Sequence, residues 1–215
     1  MTTDRNPWIE ASDVIPMFPT LVWKLQLRAE VHQAMDNRIL ALLEELRRLE
    51  PDPLGRGQGW QSERRLHERE ELREFVECVG AAAKTILRFL KIGYEDFEIT
   101  GCWANVLAPG AAHRAHSHPN NFLSAVYYLR THPGGDTIHF HDPRPQTGIL
   151  RAPVTELTAE NTDQVVVPVR NGTLLLFPAY VQHSVEVNAA AEERISLSCN
   201  IMFSSFTENL SKPLW

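Results

Sequence analysis

The sequence predicts a mainly β, α+β fold in which two N-terminal helices pack against an antiparallel sandwich or barrel. Apolar residues recur at helical spacing in the first half, and the period of the pattern changes to two from Phe97 onward. Short candidate strands then follow one another closely, with Gly and Pro between them. Many short strands separated by turn residues are typical of β-sandwiches and barrels.

The helical segments lie in the first half of the chain. We expect a short strand over Phe18–Leu25, a helix over Glu30–Leu49, a glycine-rich loop over Leu54–Trp60 and a second helix over Glu68–Leu90. In the second helix the apolar residues form one stripe, and charged residues lie on the opposite side. Both helices are therefore expected to pack one face against a sheet.

The second half contains the strands. They are predicted over Phe97–Ala108, Leu123–Arg130, Asp136–His141, Gln164–Val169, Thr173–Phe177, Gln182–Val187 and Arg194–Phe203. The pair Asn171-Gly172 is a hairpin signal between two of these strands. We interpret residues 1–215 as a single domain, with a strand and two supporting helices in 1–96 and a β core in 97–205.

Composition excludes several classes of protein. Hydrophobic residues make up 43% and charged residues 22% of the chain, as in ordinary globular proteins. The net charge of -6 disfavours a nucleic-acid partner, and no apolar run is long enough for a membrane span. Three widely spaced cysteines without a CxxC pair predict reduced thiols and a cytoplasmic location. A homodimer is compatible with the sequence.

Histidines are concentrated in the second half, where they predict a metal site. Residues two apart on a strand point to the same face, so His116 and His118 can chelate one ion at the mouth of the strand that continues over 122–129. His183 follows another strand about 65 residues later. Neutral imidazole suits iron, zinc or copper, and three such ligands leave coordination positions open. His113 is interpreted as a solvated surface residue.

A rival set of ligands lies on a neighbouring strand. His139 and His141 alternate in Thr137–Asp142, and Asp142 could supply a carboxylate. We favour His116, His118 and His183 for the metal. Asp142 is kept as a third ligand in place of His118, or as a partner of a ligand.

The last predicted strand has one polar and one apolar face. Arg194, Ser196, Ser198 and Asn200 alternate with apolar residues, so the apolar face is expected to pack against the helices and the polar face to point into the barrel. A buried arginine is costly unless it is paired. A guanidinium followed two residues later by a hydroxyl can hold one carboxylate. Tyr128 falls on the same side of its own strand as His118 and could assist Arg194.

These motifs together resemble a known family. The order is H-x-[D/E/H], a YYL strand, G-x-L-x-x-F-P-x-x-x-x-H and R-x-S, and it looks like that of the 2-oxoglutarate- and iron(II)-dependent oxygenases. More narrowly, HSHPNNFLSAVYYL, FHDPR and RISLSCN are similar to a bacterial and phage subfamily of these enzymes. The resemblance covers about Gly101 to Phe203.

The resemblance implies a double-stranded β-helix (jelly-roll, cupin-like) barrel that hydroxylates a small-molecule or peptide substrate. Iron(II) and the cosubstrate 2-oxoglutarate would be used with dioxygen, and succinate and CO2 would be released. By position, the iron ligands would be His116, His118 and His183. The carboxylate of 2-oxoglutarate would bind Arg194 and Ser196, with help from Tyr128. On the substrate side or around the ligands we expect Trp103, Asn105, His139, Asp142, Arg144 and Asn200.

The chain departs from the common family pattern at one ligand. The family usually has Asp or Glu where this sequence has His118. A three-histidine site has one negative charge fewer, which makes the metal centre more cationic. Two other functions stay open: a cupin-like three-histidine dioxygenase that does not use 2-oxoglutarate, and a non-catalytic barrel that binds a metal or a small acid.

Overall fold

The computed structural model describes residue 8 and residues 10–49, 54–93, 96–144 and 153–207. The predicted segments 1–96 and 97–205 therefore each include residues outside the described ranges. The helices are α1 (Ala29–Arg47), α2 (Arg73–Phe89) and the short α3 (Ser204–Thr207). The strands are β1 (Trp23–Gln26), β2 (Gly59–Gln61), β3 (Phe97–Leu107), β4 (His113–His116), β5 (Leu123–Arg130), β6 (Thr137–His141), β7 (Gln164–Pro168), β8 (Thr173–Pro178), β9 (His183–Val185) and β10 (Arg194–Phe203).

The described strands form two antiparallel sheets, as the mainly β prediction requires. The larger sheet has the order β1-β8-β5-β10-β3-β2, and the smaller has the order β4-β9-β6-β7. Side chains of β5 and β8 in the larger sheet, among them Val126 and Phe177, share a buried cluster with Ile138 and Phe140 of β6 in the smaller sheet. The two sheets therefore face each other, as in a jelly roll.

The helices cover the outer face of the larger sheet. Phe75 and Val79 of α2 are buried in one cluster with Leu197 and Cys199 of β10, because the apolar stripe of the helix meets the apolar face of the strand. The predicted division of β10 into two faces is confirmed, since its polar residues line the space between the sheets. No helix in the described ranges has the length and apolar character needed to cross a membrane.

Two predictions at the start of the chain were wrong in detail. Part of the expected loop over Leu54–Trp60 is strand β2, in which Trp60 pairs with Val106 of β3. The glycines of this segment indicated a loop, but the long strand β3 offers an edge with which the segment pairs. The expected strand over Phe18–Leu25 starts only at Trp23, because Phe18 has a φ of 54° and so cannot lie in an extended strand.

The helix predicted over Glu68–Leu90 also starts later. Two 3-10 turns, Leu66–Glu68 and Glu70–Leu72, precede α2, which begins at Arg73. The buried Leu66 and Leu72 anchor these turns in the core.

The strand expected to carry His116 and His118 is interrupted. Strand β4 ends at His116 in the smaller sheet, and β5 begins at Leu123 in the larger sheet. Pro119 cannot donate a backbone hydrogen bond, and Asn120 has a left-handed φ of 61°. The chain therefore turns between the sheets immediately after His118.

Candidate metal centre and cosubstrate pocket

Three histidines meet at one end of the space between the sheets. His116 at the end of β4 is the direct cross-strand partner of His183 at the start of β9, and His118 lies two residues beyond β4. Their potential ligand atoms all lie within 4.8 Å of one another. The shortest distance between ring centroids is 4.4 Å, between His116 and His183. This spacing allows all three rings to bind one metal ion.

Backbone hydrogen bonds orient two of the rings. Nδ1 of His116 lies 2.8 Å from the carbonyl oxygen of Arg114, and Nδ1 of His183 lies 3.1 Å from that of Val181. A carbonyl oxygen only accepts, so each Nδ1 must carry the hydrogen. The lone pair of each Nε2 is thus left available to a metal, as in many metal sites whose histidines are fixed by a backbone carbonyl.

The protonation state of the cluster also suits a metal. Burial is the main cause that lowers the pKa of His183 to about 3, with smaller contributions from the neighbouring His116 and His118. Burial likewise lowers the pKa of His118 to about 4, with smaller contributions from His116 and Arg64. Both imidazoles are therefore neutral near pH 7, which is the form that binds a cation.

Arg194 at the start of β10 is a buried cation. Its side chain is 2% exposed, and burial lowers the pKa of its guanidinium. The guanidinium carbon lies 5.0 Å from the centroid of the Tyr128 ring, and one nitrogen is 3.5 Å from the carbonyl oxygen of Thr137. Among the described residues, neither Nε of Arg194 nor the hydroxyl of Tyr128 has a hydrogen-bond partner. A buried arginine in this state requires an anion.

Arg194 and the three histidines line the same cavity. Its volume is about 640 Å³, and its walls include the polar face of β10, namely Arg194, Ser196, Ser198 and Asn200. Ser198 accepts a hydrogen bond from Asn105 at 3.0 Å, and Asn200 accepts one from Ser124 at 2.9 Å. Cation, hydroxyls and histidines therefore surround one space that can hold a metal together with a small carboxylic acid.

Some predicted site residues lie elsewhere. His139 points away from the cavity because its neighbours Ile138 and Phe140 point inward, and its Nδ1 lies 3.0 Å from the amide of Gln164. Asp142 accepts hydrogen bonds from Arg144, the closer at 2.6 Å. His139, Asp142 and Arg144 do not line the cavity. These three residues therefore lie outside the cavity, although we expected them on the substrate side or around the ligands, and Asp142 is not part of the histidine cluster.

Other cavity residues were missed or misjudged from the sequence. His113 was expected on the solvated surface, but it lines the cavity, and burial lowers its pKa to about 4. Gln61, Arg64 and Arg114 also line the cavity. Gln61 and Arg64 come from the helical half, where no motif marks them. Trp103 and Asn105, by contrast, line the cavity, and their place beside a substrate stays a prediction.

Residues 101–200 match the model of the family described as "Putative 2OG-Fe(II) oxygenase". The predicted resemblance is confirmed. This segment contains the three histidines, Tyr128, Arg194 and Ser196, and its match is to oxygenases that use 2-oxoglutarate and iron(II). No protein with a curated description is significantly similar in sequence.

Solved structures support the predicted jelly-roll fold. A prolyl-4-hydroxylase from Pseudomonas putida is 20% identical with a TM-score of 0.59, over 86% of this chain and 93% of that one. The α-ketoglutarate-dependent carbocyclase SnoK of nogalamycin biosynthesis is 17% identical with a TM-score of 0.61, over 89% and 88%. HygX from Streptomyces hygroscopicus, solved with nickel and 2-oxoglutarate, is 11% identical with a TM-score of 0.59, over 86% and 83%.

Proposed function

We propose that this oxygenase binds iron(II) through His116, His118 and His183, and 2-oxoglutarate through Arg194, Ser196 and Tyr128, to hydroxylate a small-molecule or peptide substrate. One observation carries the proposal: the buried cation of Arg194 has no carboxylate partner among the described residues and lies in the same cavity as the three histidines. The cosubstrate supplies the missing carboxylate.

Each polar group of the pocket has a role in this arrangement. The Arg194 guanidinium and the Ser196 hydroxyl hold the carboxylate of 2-oxoglutarate that lies away from the metal, and the Tyr128 hydroxyl donates its unused hydrogen bond to the same group. The Nε2 atoms of His116 and His183 face the metal. Iron(II) and 2-oxoglutarate, held by these residues, would supply the activation of dioxygen and the hydroxylation of the substrate, with succinate and CO2 as the other products.

His118 is the third ligand in this proposal. It belongs to the cluster whose ligand atoms lie within 4.8 Å, whereas the Asp142 carboxylate pairs with Arg144. The Trp103 ring lies 5.7 Å from the His118 ring between centroids and supports it from one side. A neutral ligand at this position leaves the metal with its full double charge.

We also propose that the protein is cytoplasmic and forms a homodimer. The free thiols of Cys78, Cys102 and Cys199 are compatible with the reducing cytoplasm. A homodimer is supported by exposed apolar side chains before β1, where Met17 and Phe18 are 67% and 88% exposed. Light scattering after gel filtration measures the mass, and replacement of both residues by Ser should yield the monomer.

The test of the cofactor pair is an anaerobic visible spectrum of the protein with iron(II) and 2-oxoglutarate. We expect the weak charge-transfer band of a 2-oxo acid on iron(II). Arg194→Met should abolish the band at equal 2-oxoglutarate concentration while iron still binds, and the matched control Arg144→Met should retain it. If iron binds the wild-type protein without a band, the 2-oxoglutarate proposal fails, and the three-histidine dioxygenase takes its place.

A further inference from the structure

Two arginines of the cavity have no role in binding the metal or the cosubstrate. Arg64 follows β2, and Arg114 lies within β4; both line the same cavity as the histidines. Their side chains are exposed, and within the described part of the chain neither forms an ion pair with a carboxylate. Two cations without counter-ions at the mouth of one cavity can bind an anion.

Both arginines are held close to the histidine cluster. The Arg64 guanidinium lies 5.3 Å from the centroid of the Trp103 ring, and that ring packs against His118. The carbonyl oxygen of Arg114 accepts the hydrogen bond that orients His116. The Arg64 side chain is thus connected to His118 through Trp103, and the Arg114 backbone is connected to His116. Since both arginines line the same cavity as the histidines, an anion bound by the pair would lie beside the metal site.

The backbone of Arg64 is fixed to the barrel. Its carbonyl oxygen accepts a hydrogen bond from the amide of Cys102 at 2.8 Å. Gln61, three residues earlier, donates to Asn105 at 2.9 Å, and Asn105 in turn donates to Ser198. A guanidinium that stacks on Trp103 and is carried by such a segment loses less conformational entropy on binding than a free surface arginine.

The charge of the cavity differs from that of the whole chain. The protein carries 27 acidic and 21 basic residues, yet the described residues that line the cavity include Arg64, Arg114 and Arg194 and no Asp or Glu. Iron(II) and 2-oxoglutarate have opposite double charges, so their binding leaves the excess of positive charge in place. A wall of this composition favours an anionic substrate and repels cationic ones.

We propose that the substrate carries a carboxylate or phosphate group that binds Arg64 and Arg114 and places a neighbouring carbon at the metal site. This inference rests on the proposed oxygenase function. The cavity of about 640 Å³ is shared with the cosubstrate, so the anionic group belongs to a small molecule or to one side chain of a peptide.

The test measures anion binding without turnover. Zinc-loaded protein saturated with 2-oxoglutarate is titrated calorimetrically with phenyl phosphate, phenylacetate and the neutral isostere phenylacetamide. We expect at least one of the two anions to bind and phenylacetamide to bind at least tenfold more weakly. Arg64→Gln and Arg114→Gln should each weaken anion binding about tenfold, because each removes a charge-assisted contact. The matched control Arg88→Gln, on α2 outside the cavity, should change nothing.

The outcomes separate this inference from the proposed function. It is overturned if both anions bind no more tightly than phenylacetamide, or if both cavity variants bind them as the wild type does. If the charge-transfer band is missing but anions still bind and still depend on the two arginines, the proposed function is contradicted and this inference is not. The peptide acetyl-Gly-Gly-Asp-Gly-Gly-amide tests a peptide substrate. If it binds more tightly than phenylacetate, and if the replacement of its Asp by Asn abolishes this binding, the anion belongs to a peptide side chain.

Discussion

Tyr127 and Tyr128 are neighbours in β5, and their hydroxyl groups point to opposite faces of the sheet. The Tyr127 hydroxyl points to the helix side and donates a 2.6 Å hydrogen bond to the carboxylate of Asp36 on α1. The Tyr128 hydroxyl points between the sheets beside Arg194 and has no hydrogen-bond partner among the described residues. Both side chains are fully buried. One hydroxyl therefore joins helix to sheet, and the other is free to bind a ligand.

Removal of the two hydroxyls should affect stability differently. Tyr127→Phe leaves a buried carboxylate oxygen of Asp36 without its donor, which should lower the free energy of unfolding by about 1–3 kcal/mol. Tyr128→Phe removes a hydroxyl for which the described residues provide no hydrogen-bond partner, so we expect a change of less than about 0.5 kcal/mol. Urea denaturation of the metal-free protein measures both. Equal losses for the two variants would contradict the assignment.

In 2-oxoglutarate binding the order of the two variants should be reversed, with the larger effect for Tyr128→Phe. Burial raises the pKa of Tyr128 to about 12, so its hydroxyl is protonated and can donate to a carboxylate. Tyr128→Phe should weaken 2-oxoglutarate binding about tenfold, the value of one hydrogen bond to a charged group. Tyr127→Phe is the control and should leave the dissociation constant unchanged. Titration of the charge-transfer band gives both constants, and an unchanged constant for Tyr128→Phe would remove this residue from the site.

Asp36 should make the stability of the protein pH-dependent. Burial raises the pKa of its carboxyl above the usual 3.8, although hydrogen bonds from Tyr127 and His32 lower it in part. The folded state therefore holds the proton more tightly than the unfolded state. The resulting stabilisation is complete below pH 3.8 and is lost as the pH rises through the raised pKa.

Asp36→Asn removes this titration. The stability of the variant relative to wild type should therefore increase as the pH rises from 4, and then level off. Chemical denaturation at a series of pH values measures the difference. A difference that stays constant with pH would show that Asp36 titrates normally in the fold.

The third metal ligand can be assigned by paired substitutions. His118→Ala should weaken zinc binding at least tenfold, because it removes one of three donors. Asp142→Ala should leave zinc binding unchanged, since that carboxylate is held by Arg144 outside the cluster. His139→Ala, on the outer side of β6, is a histidine control that should also bind normally. Competition with a chromogenic chelator gives the affinities; the reverse ranking of His118→Ala and Asp142→Ala would make Asp142 the ligand.

The faces of β10 could be predicted from its residues because the strand period is two. One face is continuously apolar from Ile195 to Ile201, and this face packs against the helices. The polar face, with Arg194 at its start, can then only point into the space between the sheets. Where a strand is covered on one side and lines a cavity on the other, local pattern and tertiary environment agree.

The path of the chain around His118 could not be predicted in the same way. The histidines at 116 and 118 and the apolar run over 122–129 are compatible with one strand in the sequence, but Pro119 and the left-handed Asn120 divide this segment between two sheets. His116 then pairs with His183, a residue distant in sequence. This pairing depends on which edges are free in the assembled barrel.

The mainly β class, the family resemblance, the three histidines and the orientation of Arg194 could be predicted from the sequence, because each depends on a local period or on a motif within one segment. The sequence left open whether His118 or Asp142 joins His116 and His183, and it did not indicate that Arg64 of the helical half reaches the same cavity; both became clear from the folded chain. The physical reason is that these neighbours are created by long-range strand pairing, of β2 with β3 and of β4 with β9, and no pattern within either partner records it.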